Sequence, residues 1–232
     1  MILPSPILII TDRTQCAEPL ESHIASLFRG GCRWLSLREK DLEPAERRAL
    51  LERLIAIAQQ FGATVGVHDD LEAAQALKIP LHLPADGDVA TARRALGGIL
   101  LGKSCHDAGE IAAAGNDGAD YATLSPFFPS ASKPGYGSGA DLRAIAAEAA
   151  LPVLALGGIT SVTLPRISGV AGVAIMGEAM RTSEPERWFE DIAEIVQRKK
   201  PLAPREREGP VAEGDGKVRV RSLRRLPSPS SG

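Results

Sequence analysis

Short β-branched apolar runs recur eight times along the chain, and that repetition constrains the fold more than any other feature. They are ILIIT at 7–11, RWLSL at 33–37, TVGV at 64–67, PLHL at 80–83, GILLG at 98–102, DYATL at 120–124, PVLAL at 152–156 and GVAIM at 172–176. Each is too short for a helix and is bounded by turn residues, so each reads as a strand. Between them lie stretches of helical period rich in Ala, Leu, Glu and Arg. In PAERRALLERLIAIAQQFG, Pro44 suits a first helical turn, Leu50, Leu51, Leu54, Ile55 and Ala58 form an apolar stripe, and Gly62 suits a C-terminal cap. Eight strands alternating with eight helical segments fit an open doubly wound sheet or a closed barrel. A doubly wound nucleotide binder should show GxGxxG after its first strand, whereas this strand runs into Thr11-Asp12-Arg13. The expectation is therefore an α/β fold, a compact (β/α)8 TIM barrel over residues 1–200.

Composition changes at residue 200. Residues 201–232 hold five Pro and four Gly with only isolated Leu and Val, too little apolar surface to offset the entropy of ordering, so they read as a disordered basic tail. The tail carries seven basic and four acidic residues, which leaves the barrel region at net −5 within an overall −2. That balance gives no basic face for nucleic acid. Cys16, Cys32 and Cys105 are scattered without CxxC spacing, which points to reduced thiols rather than a disulfide framework or zinc site. MILPSPILIITDR lacks a basic n-region, and no stretch reaches the ~18 apolar residues that cross a bilayer. A cytoplasmic protein with no membrane partner is expected.

In such a barrel chemistry gathers on the loops after the strands. In order these carry Thr11-Asp12-Arg13, Arg38 to Asp41, His68-Asp69-Asp70, Pro84 to Asp88, Lys103 to His106, a long loop from Ser125 to Gly139, Gly157-Gly158-Ile159, and Gly177-Glu178. Arg38 and Lys40 lie two apart, so a persisting pleat turns both to one side. A planar fork and a point charge together suit a polyphosphate; the alternative is ion pairing with Glu39 or Asp41. Lys133, with Ser130, Ser132, Gly135 and Gly137 around it, can add a third cation from a loop long enough to act as a lid. Gly157-Gly158 and Gly177 stand where these barrels often bind phosphate through backbone N–H groups. Asp69 and Asp70, with Asp86 and Asp88, could supply one or two carboxylates to Mg2+, although Asp70 equally suits an N-cap of LEAAQALK. His68, His82 and His106 lack HxH or HExxH spacing, which argues against a hydrolytic zinc site; His82 suits a hydrogen-bonded inward position.

Five segments carry a resemblance: LREKD at 37–41, VHDD at 67–70, GKSCHD at 102–107, GADYATLSPFFPSASKPGYG at 118–137 and LPVLALGGI at 151–159. Together, over about residues 7–198, the chain resembles the thiamine phosphate synthase and thiazole tautomerase superfamily. The resemblance implies a small-molecule transferase that joins hydroxymethylpyrimidine diphosphate to a thiazole phosphate and releases pyrophosphate. By position, Arg38, Lys40 and Lys133 would hold the diphosphate, with His68, Ser104, Ser130 and Ser132 beside it; Lys133 and Ser104 would stand nearest the chemistry. Asp69 would ligate Mg2+, with Asp88 the expected substitute for a second ligand, and backbone groups at Gly158, Met176 and Gly177 would take the thiazole phosphate. A homodimer is compatible with the resemblance.

The chain also departs from the synthase pattern. Ser36 replaces a Gln, His68 an Asn, and Gly87 stands at the second metal-ligand position, with Asp86 or Asp88 as substitutes after a loop shift. Two alternatives therefore stand beside the synthase: a thiazole phosphate tautomerase using His82 or His106 as base, and a silent paralogue that binds phosphate ligands.

Overall fold

A computed structural model describes residues 2–129 and 141–198. Ser130, Ser132, Lys133 and the tail at 201–232 lie outside the described residues. Among those described, eight parallel strands close into a barrel in chain order: β1 (Ile7–Ile10), β2 (Trp34–Leu37), β3 (Thr64–His68), β4 (Leu81–Leu83), β5 (Leu101–Cys105), β6 (Tyr121–Leu124), β7 (Val153–Ala155) and β8 (Gly172–Ile175). The ring shuts where Ile7, Leu8 and Ile9 pair with Val173, Ala174 and Ile175. The Val173 amide adds a 2.8 Å bond to the Pro6 carbonyl.

Helices α1 (Leu20–Arg29), α2 (Pro44–Gln59), α3 (Leu71–Leu77), α4 (Val89–Leu96), α5 (Ala108–Asn116), α6 (Leu142–Glu148), α7 (Gly177–Arg181) and α8 (Pro185–Arg198) follow the strands. Carboxylates of Asp70, Asp88, Asp107 and Asp141 cap the N-termini of α3 to α6 by accepting backbone N–H bonds. Asp70 thus has the capping role its position suggested. Pro44 opens α2, and Leu50, Leu51, Leu54 and Ala58 are its buried face, with Ile55 at the margin. Gly62 falls beyond the cap, in the turn after α2, where φ is 61°. The β7–β8 connection holds only a short 3-10 turn, Leu164–Arg166, instead of a seventh crossover helix. The turn ends where Ile167 is extended, at ψ 137°, and Gly169 is left-handed, at φ 74°.

The fifth strand also starts three residues later than the apolar run suggested. Gly97, at φ 57°, ends α4. Arg93 then ties down the base of the barrel, donating to the Ile99 and Gly118 carbonyls at 2.9 Å and to Asp120 at 2.6 Å. The Leu100 carbonyl accepts the Leu81 N–H at 3.0 Å, and β5 begins at Leu101, whose N–H bonds Asp120 at 2.8 Å. Lys103 and Ser104 therefore sit on β5 itself and point to opposite faces.

Alternation along the strands divides the core. Ile7, Ile9, Leu35, Leu37, Val65, Val67 and Leu81 pack outward against helices. Leu8, Ile10, Trp34, Tyr121, Leu154 and Ala174 form a separate inner cluster. Trp34 on β2 meets Tyr121 on β6 edge to face, with ring centroids 5.0 Å apart. These strands are not neighbours, so the contact crosses the barrel interior.

Gly172 lies at the closure. A Cβ there would stand 2.2 Å from the Pro6 carbonyl oxygen and 2.8 Å from Leu154 Cδ2. Gly172→Ala is expected to cost roughly 1–3 kcal/mol through overpacking; a urea-denaturation midpoint equal to that of the unaltered chain would refute this.

Candidate active site

The inner row changes character toward the C-terminal mouth. On β2 to β6 it becomes polar: Ser36, His68, His82, Ser104 and Thr123. Ser36 Oγ and His68 Nδ1 are 2.7 Å apart. His82 Nδ1 meets Tyr121 Oη at 3.0 Å, and its Nε2 meets Ser104 Oγ at 3.0 Å. The two imidazoles lie 4.5 Å apart, centroid to centroid. Burial drives the His82 pKa down to about 3. For His68 burial, then the neighbouring His82, Arg38 and Lys40, push it well below the usual histidine value. Both rings are therefore neutral at physiological pH.

Above this floor opens a cavity of about 1080 Å³. One wall carries Arg38, Lys40, His68, Asp69, Ser104 and His106; the opposite wall carries Gly157, Gly158, Thr160, Thr163, Gly177 and Arg181. Arg38 and Lys40 do not pair with their neighbouring acids. Buried Glu39 accepts the Arg13 backbone N–H on both carboxylate oxygens, at 3.0 and 3.1 Å. Asp41 takes the Arg13 guanidinium at 2.7 Å. Among the described residues neither Arg38 nor Lys40 forms an ion pair; Arg38 rests against Met176 Sδ at 3.9 Å. Arg13 thus leaves two cations turned to the cavity.

On the other wall Gly157 and Gly158 adopt φ of 92° and 63°. A Cβ on Gly158 would also stand 2.6 Å from the Pro129 carbonyl oxygen, so conformation and space both demand glycine. Thr163 Oγ1 donates to the Gly158 carbonyl at 2.8 Å, and Glu178 accepts Ser161 N–H and Oγ–H at 2.8 and 2.9 Å. These bonds tie the β7 loop to the start of α7. Arg181 was not anticipated from the sequence. One helical turn brings it back over Gly177, where a Cβ would lie 2.7 Å from its Nη1. It donates to Gln15, which in turn bonds Asp12. The only sequence signal was its spacing of four from Gly177.

The proposed metal ligands separate. Asp69 lines the cavity at φ 51°, a conformation unusual for a residue other than glycine. Asp88 is exposed and caps α4, with its oxygens 2.9 Å from Thr91 N and 2.6 Å from Thr91 Oγ1. Those bonds hold its carboxyl below the usual range. Neither Asp86 nor Asp88 lines the cavity. Among the described residues no group of three His, Cys, Asp or Glu could hold a metal ion. His82 lies beneath the lining, and His106 reaches the cavity while bonded to Glu110 at 3.2 Å.

Fold and cavity together define a closed eight-stranded barrel whose mouth sets two cations opposite a glycine-rich wall. The chain belongs to the thiamine monophosphate synthase family, whose model matches residues 7–179. It is 36% identical to a putative thiamine-phosphate synthase of Geobacter sulfurreducens, over 76% of this chain and 87% of that protein. It is likewise 36% identical to a thiamine-phosphate synthase of Chlorobium luteolum, over 83% of this chain and 93% of that one. Its fold matches that of a thiamine phosphate pyrophosphorylase from Pyrococcus furiosus, with TM-score 0.75 and 23% identity over 83% and 95% of the two chains. No described helix is long and apolar enough to cross a membrane.

The neutral histidines make stability pH-dependent. Their folded pKa values lie below the unfolded value, so their stabilising contribution is complete above about pH 6.5 and falls away as pH drops toward 3. Thermal midpoints should decline from pH 7 to pH 4, with up to about 1.4 kcal/mol per pH unit from His82. His82→Gln should flatten that decline; an unaltered slope would refute the assignment.

Proposed function

We propose that the chain joins hydroxymethylpyrimidine diphosphate to a thiazole phosphate, giving thiamine phosphate and pyrophosphate. The observation that carries this reading is the two-walled mouth in a chain of this family: Arg38 and Lys40, in no ion pair among the described residues, face a glycine-rich cup at Gly158 and Gly177. Two substrates, each with a phosphate group, need two such grips, set so that their reacting atoms meet between them.

In the reaction the methylene C–O bond to the diphosphate breaks, and the leaving group keeps the electron pair. The thiazole nitrogen then forms the new C–N bond to the methylene carbon, becoming a thiazolium. No proton has to be removed from carbon, so the protein's work is to stabilise the departing charge and align the nitrogen. Arg38 and Lys40 would take the diphosphate oxygens, joined by Ser104 and by His68 as a neutral hydrogen-bonding group. Lys133, Ser130 and Ser132 would add to this set from the long β6 loop. Gly158, Met176 and Gly177 would receive the thiazole phosphate through backbone N–H groups, with Arg181 above them. The Asp69 carboxylate fits Mg2+, an ion that uses one or two carboxylates and takes its other ligands from substrate phosphates and water; when bound it would neutralise diphosphate charge. Asp88 as a second ligand would require α4 to give up its cap, so the structure favours Asp69 alone.

Incubation of the purified protein with Mg2+ and both substrates should yield thiamine phosphate and pyrophosphate in equal amounts; no product would overturn the reading. Lys40→Ala should raise KM for the pyrimidine diphosphate about ten- to a hundredfold, the worth of one charged hydrogen bond. Asp69→Asn should raise the Mg2+ concentration needed for half-maximal rate and weaken calorimetric binding of magnesium pyrophosphate. Asp88→Asn should leave both unchanged.

A further inference from the structure

Tyr121, His82 and Ser104 form a hydrogen-bonded series from the barrel interior to its mouth. Tyr121 and His82 are each 1% exposed; Ser104 is the member that lines the cavity. The two links, Tyr121 Oη to His82 Nδ1 and His82 Nε2 to Ser104 Oγ, are both 3.0 Å. Gly102 on β5 makes the series possible. A Cβ there would lie 2.1 Å from Tyr121 Cζ and 2.6 Å from its Oη, so the phenol can cross β5 only over a residue without a side chain.

The direction of the protons follows from the partners. Burial pushes the Tyr121 hydroxyl far above its usual pKa, so it keeps its one proton. Its partner among the described residues is His82 Nδ1, and a phenol is a stronger donor than an aliphatic hydroxyl. Nδ1 must then be bare, and a neutral imidazole carries its proton on Nε2. From there the nearest acceptor is Ser104 Oγ; Thr123 Oγ1, at 3.4 Å, is a weaker contact. With the imidazole donating to its oxygen, the Ser104 hydroxyl has its own proton left for the cavity.

We propose that His82 is a positioning residue: fixed by Tyr121 as the Nε2–H tautomer, it donates to Ser104 Oγ and turns the Ser104 proton outward, toward an anionic oxygen of a bound diphosphate. In the opposite tautomer Nε2 would accept, Ser104 would give its proton inward, and its lone pairs would face the anion. The diphosphate ligand rests on the proposed function; the tautomer does not.

An imidazole 15N–1H correlation spectrum at neutral pH should show His82 protonated at Nε2 and bare at Nδ1. The reverse would overturn the inference whatever the protein catalyses. Calorimetry with Mg2+ and inorganic pyrophosphate then compares His82→Phe, His82→Gln, Ser104→Ala and the double variant Ser104→Ala/His82→Phe with the unaltered chain. His82→Phe and Ser104→Ala should each bind about tenfold more weakly, the double variant no worse than either, and His82→Gln should recover binding through its amide N–H. Additive losses, undiminished binding in His82→Phe, or no pyrophosphate binding by the unaltered protein would each overturn the role given to Ser104. If His82→Phe does not fold, Tyr121→Phe replaces it: the Nδ1–H form should appear and pyrophosphate binding should weaken, and an unchanged spectrum counts against the proposal. A protein that shows the tautomer and the coupling yet makes no thiamine phosphate would sink the condensation reading alone.

Discussion

Closure of the parallel sheet is the constraint on which the rest depends. Once Ile7, Leu8 and Ile9 pair with β8, each strand has one inward row with no access to water except at the ends. The inward row must therefore pack or pair completely. Toward the base it packs, as Trp34 against Tyr121. Toward the mouth on β2 to β6 it pairs, with each buried imidazole nitrogen of His82 given a hydroxyl. Neutral polar groups beneath a cationic mouth avoid placing a second charge below Arg38 and Lys40, and burial keeps them neutral.

The barrel region carries a net −5, yet its mouth presents cations. Asp69 lines the cavity, but many other acids are engaged by the fold. Asp70, Asp88, Asp107 and Asp141 serve helix N-termini, where a carboxylate meets unsatisfied N–H groups and the positive end of the helix dipole. Asp70 also pairs with Arg47 at 3.0 Å and Asp120 with Arg93 at 2.6 Å. Glu39 and Asp41, adjacent in sequence to the two mouth cations, are drawn to Arg13. Net charge is therefore a poor guide to the sign of a site; what matters is which charges the fold has already neutralised.

Much of this was legible in the chain. Turn-bounded apolar runs report strands because period and length are local properties, and the strand exits report the mouth because the barrel puts all of them at one end. GILLG is as apolar as a strand, yet its first half is a loop, where Arg93 holds the Ile99 and Gly118 carbonyls and Asp120. Asp88 looked like a ligand because a carboxylate near a mouth suits either a metal or a cap; its contact with Thr91 decides for the cap. Nothing local marks Arg181 as an arginine that folds back over Gly177.

The sequence by itself determined the alternation of strands and helices, the order of the strand exits, the family and the glycines of the β7 loop, since each depends on local period, turn chemistry or motif. Only the tertiary structure decided which acids neutralise which cations, that Gly102 makes room for Tyr121, and that His82 stands between a phenol and a serine. Those outcomes join residues from different strands, and their energies depend on burial and distances of about 3 Å that exist only once the sheet has closed.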